Sequence, residues 1–270
     1  MLPSPQVTTL IRSVSLKTNI TFLSLGPGDP ELLTLKAVRL LREADIVMLP
    51  VTESADGTVK SRAADIIAEW CTAEKIRYYT LPMQKNRDVV MQVYEEMCSS
   101  AAEWYRDGLR VIVAVEGDVS IYASIHYVLE RLQRLSIPVE QCPGIPSFIA
   151  AAASAGLSLI SQGQRLVVLP GDIEIEALRQ LLTSQHVVVV MKLSRCQQQL
   201  KDYLRQYPDT VCHYFENVGT PANFYSSDHD MIQDRKMPYF SLCILMRIPS
   251  AITNSPVSFS FHRNSCQVNH

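Results

Sequence analysis

Val115-Glu116-Gly117-Asp118-Val119-Ser120-Ile121-Tyr122-Ala123-Ser124 decides how this chain is read. It follows an apolar run, Arg110 to Val115, with the length and composition of a buried strand. It precedes Ile121, Ile125, Val128, Leu129 and Leu132 at helical spacing, which predicts a helix over 120–134. A Gly-Asp pair therefore sits where a strand ends and a helix begins. In parallel α/β sheets that edge is where ligands bind, because backbone N–H groups and strand-end side chains converge there. A tight turn with an aspartate capping the helix accounts for the same residues, and the stretch alone leaves both readings open.

Toward the N-terminus the same grammar repeats. Thr18–Leu25 reads as a first strand, and Gly26-Pro27-Gly28-Asp29-Pro30-Glu31 as a turn feeding a helix that ends near Glu43. Asp29 suits an N-cap, Pro30 the first helical position and Glu31 the positive helix end. The turn is not a dinucleotide fingerprint. Glu31 stands where the third glycine belongs, and a carboxylate there repels a pyrophosphate. Strands are predicted at 45–50 and 76–81, and helices at 61–71 and 88–105. In the longer helix Val90, Val93, Met97, Ala101 and Trp104 form a core stripe.

Toward the C-terminus, a short strand (138–141) leads through Pro143-Gly144-Ile145-Pro146-Ser147 into an alanine-rich helix, Phe148–Ala155. From Arg165 the alternation restarts, with strands at 166–169, 186–191 and 210–215, helices at 173–183 and 194–206, and a last strand within 238–248. Two runs of alternating strand and helix predict an α/β protein of two domains, 18–140 and 141–248. Met1–Lys17 lacks acids and an amphipathic Arg-rich pattern, so it reads as an unstructured extension. Residues 249–270 read as a polar tail in which Val257–Phe261 alternates like an edge strand.

Composition narrows the function classes. At 270 residues with 47% apolar and 19% charged residues, the chain can bury a sizeable core. A net charge of −2 argues against nucleic acid as the main partner, and no apolar run is long enough to span a membrane. Seven cysteines without C-x-x-C spacing argue against a disulfide framework or a zinc site and for a reducing cytoplasm. The histidines have no ligand spacing, and no P-loop, Gly-x-Ser-x-Gly or His-Glu-x-x-His motif occurs, so no metal site is expected.

Several loops, taken in order, resemble one family. Gly26-Pro27-Gly28-Asp29-Pro30-Glu31-Leu32-Leu33-Thr34-Leu35-Lys36-Ala37 resembles the N-terminal signature of the tetrapyrrole methylases. Gly117-Asp118-Val119-Ser120-Ile121-Tyr122-Ala123-Ser124 resembles their Gly-Asp-Pro-x-x-Tyr-x-Ser motif, and Pro143–Phe148 their Pro-Gly-Val-(Ser/Thr)-Ser loop. Val190-Met191-Lys192 and Glu216-Asn217-Val218-Gly219 resemble later motifs, so the likeness spans about residues 18–248. Tyr122 with Ser124, Leu81-Pro82-Met83, Met191-Lys192 and Pro238–Leu242 resemble the branch that methylates precorrin-2, metal-free or cobalt-bearing, at C20.

The resemblance implies two α/β domains with a cofactor cleft between them, a homodimer, and S-adenosylmethionine as cofactor. Carried over motif by motif, it places Pro27, Glu116, Gly117, Asp118, Ile121, Pro146, Ser147, Met191, Val218 and Ser241 around that cofactor. It implies Tyr122 and Glu216 as the catalytic candidates. Lys85, Arg87, Ser124 and Lys192, with Arg195 nearby, would receive a tetrapyrrole rich in carboxylates. Two departures stand out: Val119 where the family usually has Pro, and Pro146 where it has Ser or Thr. The other readings are a methyltransferase of the same fold with a different target, and a binding protein whose site these departures have eroded.

Overall fold

The computed structural model describes residues 19–52, 61–81 and 87–247. Lys85, the N-terminal extension up to Thr18 and the alternating Val257–Phe261 segment lie outside the described residues.

The first sheet joins β1 (Ile20–Ser24), β2 (Ile46–Thr52), β3 (Ile76–Leu81), β4 (Val111–Val115) and β5 (Val139–Cys142) in the order β3-β2-β4-β1-β5, all parallel. Its three central strands, β2, β4 and β1, are apolar at nearly every position because helices cover both faces. Ile20, Phe22, Met48, Val111 and Val113 face a core shared with α3 (Arg87–Arg106) and α4 (His126–Arg134). Leu23, Leu25, Val47, Leu49, Ile112 and Ala114 face the other core, shared with α1 (Leu35–Glu43) and α2 (Arg62–Ile67). The alternation of neighbours along each strand follows from the two-residue side-chain period.

The second sheet has the order β6-β7-β10-β8-β9, from β6 (Arg165–Leu169), β7 (His186–Met191), β8 (Thr210–Glu216), β9 (Phe224–Ser226) and β10 (Ser241–Arg247). β6 and β7 are parallel, while β10 runs antiparallel between β7 and β8. One face packs on α6 (Ile175–Thr183), α7 (Gln197–Gln206) and α8 (His229–Asp234). The other packs on α5 (Ser147–Ser154), and Leu32, Ile121 and Ile145 from the first sheet's loops join that core. The two α/β units therefore share apolar surface where their loops meet. The first sheet runs through Cys142, two residues past the division expected after residue 140.

Two predicted helices begin later than their periodicity says. The 30–43 pattern splits into a 3-10 turn, Pro30–Leu32, and α1. Both Asp29 and Thr34 act as N-caps: Asp29 accepts the Glu31 N–H at 2.9 Å and Thr34 the Ala37 N–H at 3.1 Å. The 120–134 pattern is helical only from His126, because Asp118 captures the Ser120 N–H at 2.8 Å and Tyr122 adopts φ +50°. β9 and α8 are additional elements, the latter capped by Asp228.

Candidate functional site

The C-terminal ends of β1, β4 and β5 bring three loops together, and Asp118 fastens them. Its Oδ2 accepts the Gly144 N–H at 2.7 Å and the Ser24 hydroxyl at 3.5 Å. Its Oδ1 accepts the Ser120 N–H at 2.8 Å and, closer still, the Ser120 hydroxyl. Burial raises the pKa of this carboxyl, but the donors outweigh it and hold the group below the usual carboxylate range. Gly117 is equally committed: its N–H donates to Gly26 O at 2.6 Å and its carbonyl accepts the Gly26 N–H at 3.1 Å. Gly144 must be glycine here, since a Cβ would lie 2.6 Å from Ser24 Cβ and 3.2 Å from Gly117 O.

Beside these loops opens a cleft of about 270 Å³. Pro27, Glu116, Gly117, Asp118, Ile121, Tyr122, Ser124, Pro146 and Ser147 line it from one side of the fold, and Met191 and Lys192 from the second sheet. Eleven of the expected site residues thus converge on one cavity. Glu116 is half-buried, its carboxylate 3.4 Å from the Arg62 guanidinium, and burial raises its pKa more than Arg62 lowers it. Lys192 has a pKa lowered by burial and by Arg195; its ammonium donates to Tyr122 O at 3.3 Å. The Tyr122 hydroxyl donates to Val168 O in β6 at 2.6 Å, so this ring spans the cleft from the first unit to the second. Ser124 accepts the Tyr94 hydroxyl at 2.5 Å.

Three expected residues do not meet this cleft. Glu216 is buried in a bidentate pair with Arg235, 2.6 and 2.8 Å, and accepts the Tyr214 hydroxyl at 2.6 Å. Burial pushes its pKa up, but Arg235 and Tyr214 win and hold it down. Its carboxylate is taken up by Arg235 and Tyr214 of the second unit, and it does not line the cleft that a catalytic group would face. Val218 lines a separate groove with Asp29, Leu32, Ala150 and Gly219. Ser241 is buried and donates to Pro238 O at 2.5 Å. Arg87 opens α3. Asp118 lines the cleft, but as a saturated pin between loops rather than as a free acceptor.

Both departures from the family pattern fit locally. The Val119 N–H, which a proline would lack, donates to Ser24 Oγ at 2.9 Å, and its side chain is buried. His126 Nε2–H donates to the Val119 carbonyl at 2.7 Å. Pro146 serves as N-cap of α5 with φ −62° and ψ 146°, the conformation its ring prefers.

Other cleft residues were not assigned to the site from the sequence. Tyr239 and Phe240 line it, as do Pro50 and Ala63. Arg62 stands behind it, donating to Pro27 O at 3.2 Å and stacking on the Phe240 ring at 4.1 Å. Its Nε and Nη1 are buried without a hydrogen-bond partner among the described residues. Arg62 and Phe240 lie far apart in sequence, so no local pattern announces their contact. For Phe240 and Tyr239 the signal is the Pro238–Leu242 run, whose resemblance to the family branch marks the segment without saying that its rings reach the cleft.

Comparison with known proteins agrees with this geometry. A protein described as "Probable cobalt-precorrin-2 C(20)-methyltransferase" from Methanocaldococcus jannaschii is 27% identical over 66% of this chain and 74% of its own length. "Precorrin-2 C(20)-methyltransferase" from Sinorhizobium sp is 28% identical over 82% of this chain and 91% of its own. The structure of uroporphyrin-III C-methyl transferase from Thermus thermophilus complexed with S-adenyl homocysteine shares the fold, with a TM-score of 0.60 at 24% identity over 85% of this chain and 92% of that one. Residues 19–225 match the family profile described as Tetrapyrrole (Corrin/Porphyrin) Methylases. That match runs from the first strand through the whole first sheet and β6, β7 and β8 of the second, stopping short of α8, the Tyr239-Phe240 edge and β10, and the chain belongs to the tetrapyrrole methylases.

Proposed function

We propose that the chain is an S-adenosylmethionine-dependent methyltransferase acting on C20 of precorrin-2, metal-free or cobalt-bearing, in cobalamin biosynthesis. One observation carries the reading: a pinned Gly117-Asp118 loop, Pro27, Pro146-Ser147 and Met191 line one cleft between two α/β units of a tetrapyrrole methylase. The C20-specific names of its relatives support the choice of carbon.

The cleft residues fit the cofactor chemically. Its ammonium needs a carboxylate, and Glu116 lines the cleft with one that is paired only at 3.4 Å, with Arg62, among the described residues. Its carboxylate needs N–H donors, and α5 opens at Pro146-Ser147 with the positive end of its dipole. Its apolar parts need walls, which Pro27, Ile121 and Met191 provide. When bound, the cofactor supplies an electrophilic sulfonium methyl. The chain's own task is alignment, which supplies roughly 7–11 kcal/mol in well-oriented systems. Tyr122 holds the two cleft walls together, and Lys192 with Arg195 presents positive charge to a substrate carboxylate. Lys85 and Arg87 are assigned the same task. The reading includes a homodimer in the cytoplasm. Six described cysteines, all free and buried, agree with a reducing compartment.

The test is incubation of the purified chain with S-adenosylmethionine and, in turn, precorrin-2 and cobalt-precorrin-2. A product carrying one added methyl at C20 supports the reading. Methylation at another carbon, or no product from a sample that binds S-adenosylhomocysteine, refutes it.

A further inference from the structure

Two large aromatic side chains at the cleft edge remain exposed: Tyr239 at 53% and Phe240 at 42%. Exposed rings are unremarkable when scattered singly, but these two are adjacent, line the cavity and are held stiffly. The rings meet edge to face, 88° apart with centroids at 5.1 Å. Phe240 is fixed by the Arg62 guanidinium on its ring and by its carbonyl, which accepts the Asn217 N–H at 2.8 Å. The backbone before it is fixed by the Ser241 hydroxyl on Pro238 O. Arg62 in turn is tied to Pro27 and Glu116, two walls of the cleft. Tyr239 is therefore the free end of a braced series, Arg62 to Phe240 to Tyr239.

We propose that Tyr239, buttressed by Phe240, is the platform on which the conjugated macrocycle of the tetrapyrrole stacks. The inference rests on the tetrapyrrole reading of the cleft and adds the residue that grips the ring rather than its carboxylates. A polarisable macrocycle with conjugated stretches and a polar rim suits an aromatic side chain whose face is open and whose position is set in advance, since little rotamer entropy remains to be lost. Lys192, on the same cavity, supplies charge for the rim.

The experiment is titration of wild type, Tyr239→Ala and Tyr239→Phe with uroporphyrin, followed by the porphyrin's fluorescence anisotropy, alongside calorimetry with S-adenosylhomocysteine. Loss of a stacking partner raises the porphyrin Kd roughly tenfold in Tyr239→Ala. Tyr239→Phe keeps the wild-type value, and S-adenosylhomocysteine binds all three within about twofold. An unchanged porphyrin Kd in Tyr239→Ala overturns the proposal. So does an equal loss of both ligands in a sample whose circular dichroism is native, because the ring then holds the cleft together instead of the substrate. If wild type binds S-adenosylhomocysteine but no porphyrin, the platform proposal is overturned, while the methylation assay with precorrin-2 tests the reading of the cleft on its own.

Discussion

Replacing Asp118 tests whether the site is built on a carboxylate that serves the protein and not the ligand. Four donors converge on it, two of them backbone N–H groups from different loops. In Asp118→Ala the Ser24 and Ser120 hydroxyls can rotate to other partners, but the Ser120 and Gly144 N–H groups cannot. A hydrogen bond to a charged group contributes about 1.5–3 kcal/mol, so losing two costs about 3–6 kcal/mol. Asp118→Asn keeps one acceptor oxygen and turns an amide N–H₂ toward the other donors, for about 2–3 kcal/mol. Urea unfolding at neutral pH reads both values from the midpoint at constant slope. The pH dependence has a definite sign. The folded pKa of Asp118 is depressed, so its stabilisation is complete above the unfolded value of about 3.9 and is lost as pH falls through the folded pKa. The gap between wild type and Asp118→Asn is therefore flat from about pH 5 to 8 and closes in stronger acid. A cost under about 1 kcal/mol for Asp118→Ala would refute the pinning argument. So would an Asp118→Asn protein of wild-type stability that no longer binds S-adenosylhomocysteine, for the carboxylate would then be touching the ligand.

Three further outcomes follow from the same geometry. Gly144→Ala places a methyl 2.6 Å from Ser24 Cβ, and overpacking of this kind costs about 1–3 kcal/mol; thermal unfolding should show it, with weaker S-adenosylhomocysteine binding because the three loops separate. Glu216→Gln breaks the pair with Arg235 and costs about 2–3 kcal/mol in urea unfolding, less than a fully enclosed pair because Arg235 is partly exposed, while turnover per folded molecule stays within about twofold; a hundredfold fall in kcat with unchanged stability would restore Glu216 as a catalytic group. Tyr122→Phe removes the hydroxyl bond to Val168 and costs about 0.5–1.5 kcal/mol, and Tyr122→Ala should lower kcat far more than it weakens S-adenosylhomocysteine binding; equal losses of both would end its role in positioning the substrate.

How much of this was legible beforehand depended on how local each cause is. The first sheet's strands could be read because helices on both faces demand continuous apolar runs, as in Ile46–Leu49 and Val111–Ala114. The alanine-rich α5 could be read from its composition and the Pro-Gly loop before it. The boundaries that moved did so through competing local bonds. Thr34 caps a second start five residues after Asp29, and Asp118 takes the Ser120 N–H that a helix over 120–134 needed. The helix capped by Asp228 went unread because one or two turns give no periodicity to detect. In the site, loops at strand ends were placed by the fold class itself, which is why Pro27, Gly117 and Pro146 converge.

Glu216 was misread for the opposite reason. Its neighbours Asn217-Val218-Gly219 carry a family signature, but its own fate is set by Arg235, nineteen positions on, and by Tyr214 beside it in the sheet. Arg62 and Phe240 make the same point from the other side, since each looks ordinary until the second unit is laid against the first. In this fold a motif identifies the loop that reaches the cleft, and the long-range partner decides which side chain on that loop remains free to act. By that criterion Glu116, loosely paired at 3.4 Å, and Tyr239, with its ring exposed, have more capacity for ligand than the carboxylates of Asp118 and Glu216, whose acceptor sites are already filled.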